Sequence, residues 1–383
     1  MVAVRSAHLN PSGDFAVDEW VAGLGLANPH FSEQLAATWR YCEQRCLGHV
    51  NAPLLLWRSI EMVEILSMLS MDNDSLCAAL LFPMADAGVV EEAILRGTFG
   101  KSITNLVHGV RNIEAIRKLK ANHNDLIAPE QGSEMHRMLL AIVEDFRCVV
   151  IKLAERIAHL RELRNAPKDE QVLAAKEGAS IYAPLANRLG IGQLKWELED
   201  FCFRYLHPYE YKSIAELLHE RRIDREQYIE EFVDALRQSM QEEGLKADIY
   251  GRPKHIYSIW RKMQNKTLAF SELFDVRAVR VVVERLQDCY VALRIIHALY
   301  DHLPDEFDDY VANPKPNGYQ SIHTVIFASR EKPLEIQIRA HQMHADAERG
   351  IAAHWKYKEG RTALTGGRSS HEEHISWLRQ ILT

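Results

Sequence analysis

This 383-residue chain lacks the features by which several functional classes are recognised. None of its six cysteines, at 42, 46, 77, 148, 202 and 289, forms a CxxC pair and no spacing repeats. That argues against a disulfide framework and leaves reduced thiols packed as small hydrophobes. Cys42 and Cys46 could share a helix face, but no partner ligands stand at matching spacing for zinc. No segment reaches the roughly 18 uninterrupted apolar residues of a membrane span. Met1 to Asn10 has no apolar run of the signal-peptide kind, so a cytoplasmic protein is expected. A basic excess is also missing. The net charge of −7 argues against a surface that coats nucleic acid, so anions must be held by local clusters. No internal repeat or low-complexity segment is found.

What is present is ample apolar content, 47%, in a chain long enough for two domains. From about Asp18 to Arg188 apolar residues recur at three and four positions, as in Leu54 to Leu69, Met135 to Cys148 and Val149 to Leu163, and predict an all-α domain. Prolines at 29, 53, 83, 129 and 167 fall where turns or helix starts are expected. After Gly190-Ile191-Gly192 a second helical stretch, Leu194 to Arg221, leads through Ile229 to Glu243 into a different grammar. Ala247 to Tyr250, Val276 to Val283, Ile322 to Ala328 and Leu334 to Arg339 are short, alternating and β-branched. Helices are expected between them at Ile256 to Gln264 and Leu286 to Tyr300. The reading is an α+β chain, with a mixed-sheet α/β domain after the helical one. The Gly/Ser/Thr-rich end from Arg361 to Ser370 looks like a linker cut short.

The chemistry concentrates between Tyr250 and Glu335. In Asn313-Pro314-Lys315-Pro316-Asn317-Gly318-Tyr319 two prolines exclude a helix. They leave Lys315 and Asn317 on a stiff loop, with Tyr319 offering a flat π-surface for a base. Arg252, Lys254, Arg261, Lys262 and Lys266 form a run with no acidic residue between them. Such a run is most often a solvated helix face, yet it would attract a nucleoside triphosphate. In the strand around Glu335, Leu334, Ile336 and Ile338 face one way and Glu335, Gln337 and Arg339 the other, where the polar row can line a site. A carboxylate between Leu334 and Ile336 in a strand is costly without a partner or a task. Asp275 and Glu335 are the natural pair for Mg²⁺, and Glu335 is the best general base.

The run Tyr250 to Met263, followed by Phe274-Asp275, Asn313 to His323, Glu335 to Arg339 and His354 to Lys358, closely resembles the synthetase domain of long RelA/SpoT-type (p)ppGpp synthetases. The resemblance implies a nucleotidyltransferase-like fold and a GTP/GDP diphosphokinase, which moves the β,γ-pyrophosphate of ATP to the 3′-hydroxyl of GDP or GTP. It implies that Arg252 and Arg280 stack on adenine and that Lys254, Ser258 and Lys262 hold the ATP phosphates. Asp275 and Glu335 would bind Mg²⁺. Tyr319 would stack on guanine, with Lys315, Asn317 and His323 placing the acceptor. Gln337, Arg339 and His354 are further candidates. Where many bifunctional relatives carry Arg-x-Lys-Asp, this chain reads Glu306-Phe307-Asp308-Asp309, the form associated with the monofunctional RelA branch, and a lean toward GDP over GTP is expected.

The N-terminal half resembles the family's HD-type hydrolase domain, usually Mn²⁺-dependent, with its ligands replaced. Where active relatives have His-Asp-x-x-Glu-Asp, this chain reads Phe82-Pro83-Met84-Ala85-Asp86-Ala87. The His-Pro site falls at Arg58-Ser59, and the Ala-Asp-Arg motif appears as Ala154-Glu155-Arg156. A cationic Arg58 and an apolar Phe82 cannot ligate a divalent cation, so no Mn²⁺ and no hydrolase activity are expected. Glu155 and His159, four residues apart, are better read as a salt-bridge pair or solvated face than as metal ligands. The expected organisation is a pseudo-hydrolase domain over 1–190, a helical connector over 191–240, a synthetase domain over 241–360 and a linker or start of a further region over 361–383. Such relatives usually continue into C-terminal domains that engage the ribosome and deacylated tRNA. The rival reading is a catalytically silent, ribosome-associated nucleotide-sensing module, against which both carboxylates weigh.

Overall fold

The computed structural model describes residues 15–26, 28–121, 145–220, 222–270, 273, 277–329 and 332–350. Two compact units divide along the chain between Leu185 and Ala186.

The first unit is helical: α1 (Val17–Gly23), α2 (Pro29–Cys46), α3 (Ala52–Met68), α4 (Asn73–Asp86), α5 (Glu92–Ala121), α6 (Arg147–Glu162) and α7 (Lys168–Glu177). A π-helical turn, Gly178–Tyr182, follows, and a short α8 (Ala183–Arg188) runs across the division into the second unit. The helix starts are written in the sequence. Asn28 accepts a hydrogen bond from the His30 N–H ahead of Pro29, and Asp72 accepts from the Ser75 N–H at 3.0 Å, each satisfying an orphan donor of a first turn. Helix α4 is buried from Ser75 to Ala85 and packs against α2, α3 and α5. Pro83 corrects the expectation of a turn or helix start, since it lies inside α4. The apolar run around it buries enough surface to offset a break of about 3 kcal/mol. The helix expected over Met135 to Cys148 falls mostly outside the described residues.

The second unit opens with α9 (Gly192–Leu206), α10 (Pro208–Glu220) and α11 (Arg222–Glu242). The single stretch expected from Leu194 to Arg221 is two helices, parted at His207 because Pro208 cannot continue the hydrogen-bond ladder. Then come β1 (Ala247–Pro253), α12 (Ile256–Lys266), β2 (Arg277–Val283), α13 (Leu286–Leu299), β3 (Asp308–Asp309), β4 (Ile322–Ser329), β5 (Lys332–Ala340) and α14 (His341–Arg349). The sheet order is β1-β2-β5-β4-β3, parallel only between β2 and β5. Period-two alternation sorts its faces. Val279, Val281, Val283, Ile322, Leu334, Ile336 and Ile338 turn to a core closed by Phe232, Leu236 and Met240 of α11 and Cys289, Ala292 and Ile296 of α13. Each fully buried aliphatic side chain contributes roughly 1.5–3 kcal/mol. The opposite face is left to polar groups. Register puts Ala278 beside Glu335, Arg280 beside Gln337, and His323 beside Gln337 from the other neighbour.

Candidate functional site

A cavity of about 570 Å³ opens over the polar face of this sheet, with walls drawn entirely from the second unit. Its floor holds Ala278, Glu335, Gln337 and His323. Arg252, Lys254 and Ser258 stand on one side. Lys315, Asn317 and Tyr319 stand on another, and Asn187 to Trp196 with Asp346 to Gly350 complete the rim.

Glu335 accepts a hydrogen bond from Gln337 Nε2 at 3.1 Å and lies 3.3 Å from His323 Nδ1. Burial alone would raise its pKa. The His323 imidazole, the Lys254 ammonium and the Gln337 amide outweigh burial and bring it down to about 2. It is therefore a carboxylate at neutral pH. Asp275, His354 and the rest of the His354 to Lys358 motif lie outside the described residues.

Gln337 joins this carboxylate to the arginines. Its Oε1 accepts from Arg252 Nη1 at 3.0 Å and from Arg339 Nη2 at 3.2 Å. Burial, then Arg280 and Arg339, push the Arg252 guanidinium down to about 10. Arg280 donates to Glu348 at 2.9 Å, and the same oxygen lies 3.7 Å from Arg339 Nη1. Burial and Arg280 together lower His344 to about 4 and keep it neutral. Arg280 is 5% exposed and Arg339 fully buried, and neither is among the cavity-lining residues. The site is thus backed by more cations than the single Glu348 balances, which favours a polyanion above it.

The loop before β4 is built as its residues demand. Gly318, with φ of +77°, donates its N–H to the Lys315 carbonyl at 2.8 Å, closing a turn that favours glycine. Asn317 donates to the Asn187 carbonyl and accepts from the Tyr319 N–H, both at 3.3 Å. The Tyr319 hydroxyl accepts from Arg339 and lies 2.9 Å from His323 Nε2. Its ring is flanked by the Arg339 guanidinium at 4.8 Å and the Lys315 ammonium at 5.4 Å.

Helix α12 buries Ile256 and Ile259, while Lys262 is half-buried and Lys266 exposed. Its start is held by Asp200 of α9, which accepts from the Tyr257 N–H at 2.8 Å. This directs Lys254 and Ser258, around a helix N-terminus, into the cavity. Lys266 pairs with Glu306 at 2.6 Å and Lys262 stands 4.0 Å from the same carboxylate. Lys262 is not among the lining residues. Of the acidic tetrad, Asp309 accepts from the N–H groups of Val311 and Ala312 at 2.9 Å and from the Tyr290 hydroxyl. With Asp308 it forms edge strand β3.

Two regions match family models: residues 251–362 the "Region found in RelA / SpoT proteins" and residues 41–192 an HD domain. The chain carries the HD and synthetase regions of the RelA/SpoT family. A GTP pyrophosphokinase of Escherichia coli K12 is 69% identical over 382 residues, covering all of this chain and 51% of that protein. One from Haemophilus influenzae is 54% identical with the same coverage. A probable guanosine-3′,5′-bis(diphosphate) 3′-pyrophosphohydrolase of Synechocystis is 39% identical over 84% of the chain. The chain spans about half the length of the curated relatives it matches. Among solved structures, small alarmone synthetase 1 of Bacillus subtilis bound to pppGpp aligns at 21% identity and a TM-score of 0.30, over 44% of this chain and 91% of that one.

In the HD region the residues expected at the hydrolase positions have their own partners. Arg58 pairs with Glu162 through two hydrogen bonds, one of 2.8 Å from Nε. Glu155, 2% exposed, is held between Lys152 and Arg156 at 2.7 Å each. The Lys152 ammonium stands 5.7 Å over the ring of buried Phe82. Pro83 is buried beside it, while Asp86 and Ala87 are exposed. His159 lies 3.8 Å from Glu162.

Sequence reasoning missed Trp196, Gly190, Gly350, Asp200 and Glu348. A Cβ on Gly350 would come 2.4 Å from Gly190 C and Leu189 O, so two backbone segments touch there and only glycine fits.

Proposed function

We propose that the chain is an ATP:GDP/GTP 3′-pyrophosphotransferase that makes ppGpp or pppGpp and AMP in the cytoplasm. What carries the reading is one half-buried, ionised carboxylate on a sheet face, with a cationic wall toward α12 and an aromatic wall at Tyr319. The 3′-oxygen of the acceptor attacks the β-phosphorus of ATP. The bond from that phosphorus to the α,β-bridging oxygen breaks, AMP leaves with that oxygen, and Glu335 takes the 3′-hydroxyl proton. Lys254 then has a second task. Turned to a phosphate, it would relax its hold on Glu335 and make the base stronger.

Arg252 serves adenine, with Lys254 and Ser258 on the ATP phosphates. Arg280, paired with Glu348, and Lys262, beside Glu306, line no part of the cavity and take the roles the resemblance implies only by turning toward the bound nucleotide. Tyr319 serves guanine, with Lys315, Asn317 and His323 placing the acceptor. Mg²⁺ fits this donor set, because a hard cation shared with nucleotide phosphates takes one or two protein carboxylates, and Glu335 faces the cavity with Asp275 as its expected partner. When bound it would neutralise charge on the pyrophosphoryl group. Glu306, Asp308 and Asp309 incline the site toward GDP, and equal kcat/KM for GDP and GTP would remove that part. The HD region is a pseudo-hydrolase without Mn²⁺, since Arg58 and Phe82 stand where ligands would. For the full-length protein the ribosome and deacylated tRNA are the partners the resemblance implies.

The test is incubation of the chain with Mg²⁺, ATP and GDP, with nucleotides resolved by anion exchange. Expected is ppGpp with equimolar AMP, falling about 10²- to 10⁴-fold in Glu335→Gln. Wild-type protein that yields no ppGpp overturns the reading.

A further inference from the structure

Trp196 lies on α9, outside both matched regions, which end at 192 and resume at 251. It lines the cavity. The Arg252 guanidinium carbon sits 4.5 Å from its ring centroid. Behind it the His255 ring stacks at 5.3 Å and 23°, and His255 Nδ1 faces Asp200 at 3.3 Å. At its edge the same guanidinium donates to Gln337 at 3.0 Å. Arg252 is thus restrained on one face and one edge before any ligand arrives. An arginine side chain otherwise loses much rotamer freedom when it is pinned against a ligand, and a weakly hydrated guanidinium is the cation that tolerates such stacking.

We propose that Trp196 is a positioning residue for the donor nucleotide. Its indole backs Arg252 so that the guanidinium's other face is offered flat to the purine base of a nucleoside triphosphate. This rests on the transfer reading above and adds to it a wall that the family motifs do not contain. Trp196 acts through Arg252, and acceptor binding at Tyr319 does not depend on it.

The experiment is isothermal titration of the whole chain with a non-hydrolysable ATP analogue and, separately, with GDP. The proteins are wild type, Trp196→Leu, Trp196→Phe, Arg252→Met and the Trp196→Leu/Arg252→Met double variant. Trp196→Leu should weaken the ATP analogue about tenfold and leave GDP within about twofold. Trp196→Phe should recover most of the loss, because a flat ring remains. In the Arg252→Met background Trp196→Leu should cost little, because its partner is already gone. Equal losses for both nucleotides, no loss for ATP, or full additivity with Arg252→Met would each overturn the proposal. Wild type that binds both nucleotides but makes no ppGpp would sink the transfer reading and leave the Trp196 comparison intact. Wild type that binds neither would sink both.

Discussion

At the scale of single residues, the charges in the HD region are as telling as those over the sheet. Lys152, Glu155, Arg156 and Glu177 are all buried, and such groups persist only when each finds a counter-charge. Glu155→Gln removes the carboxylate that Lys152 and Arg156 share, and should destabilise the chain by about 3–5 kcal/mol, read as a shifted urea midpoint. Burial would raise the Glu155 pKa, but Arg156 and Lys152 hold it well below the usual carboxylate range. A carboxylate depressed on folding contributes stability above its unfolded value of about 4.5 that is lost as pH falls below it. Glu162, depressed by Arg58 and His159 against its burial, acts in the same direction. Stability should therefore decline from about pH 4.5 downward, more steeply in wild type than in Glu155→Gln. Over the sheet, Tyr319→Leu should raise KM for GDP by about tenfold or more, at about 1–3 kcal/mol for a lost base stack, with little change in KM for ATP. The polar row of β5 was legible because a strand's period of two separates Glu335, Gln337 and Arg339 from the isoleucines. Trp196 was not, since an aromatic in an amphipathic helix looks like core.

At the scale of elements, the site depends on how helix ends and turns are held. Asp200 caps α12 from a different helix, so Asp200→Ala should cost about 1 kcal/mol of stability. It should also raise KM for ATP more than KM for GDP, since Lys254 and Ser258 ride on that helix start. Gly350 has φ of +54° and no room for a Cβ against Gly190. Gly350→Ala should therefore force the rim apart, lowering the thermal midpoint and weakening both nucleotides together. Such equal loss separates a rim effect from the one-sided losses expected at Trp196 and Tyr319. The strands and the helices between them were legible from alternation and period. The break at His207 is marked in the sequence by Pro208 alone, within an unbroken helical period, and Pro83 reads as a boundary although burial carries the helix through it.

At the scale of the molecule, every cavity-lining residue lies between Asn187 and Gly350, inside the second unit. A chain beginning at Ala186 should keep the affinities of the whole chain for the ATP analogue and GDP within about twofold. Titration checks this directly, and loss of both would mean that the sheet unit needs the helical one to fold. If the HD region restrains the activity proposed for the sheet unit, deleting residues 1–180 should change basal ppGpp formation while the two affinities stay within about twofold. No described helix is long and apolar enough to cross a membrane.

The order of helices then sheet, the polar row around Glu335 with the stiff loop at Tyr319, and side chains at Arg58 and Phe82 that cannot ligate a divalent cation were all determined by the sequence alone. Those properties are carried by local periodicity and by what each side chain can do. Only the tertiary structure decided which charges meet. It set Glu306 on Lys266, Glu348 between Arg280 and Arg339, Trp196 behind Arg252, and Gly350 against Gly190. All but Arg339 and Glu348 are 40 or more residues apart in the chain, and pairing at such distances follows from how the sheet and its helices close on one another, which no local pattern encodes.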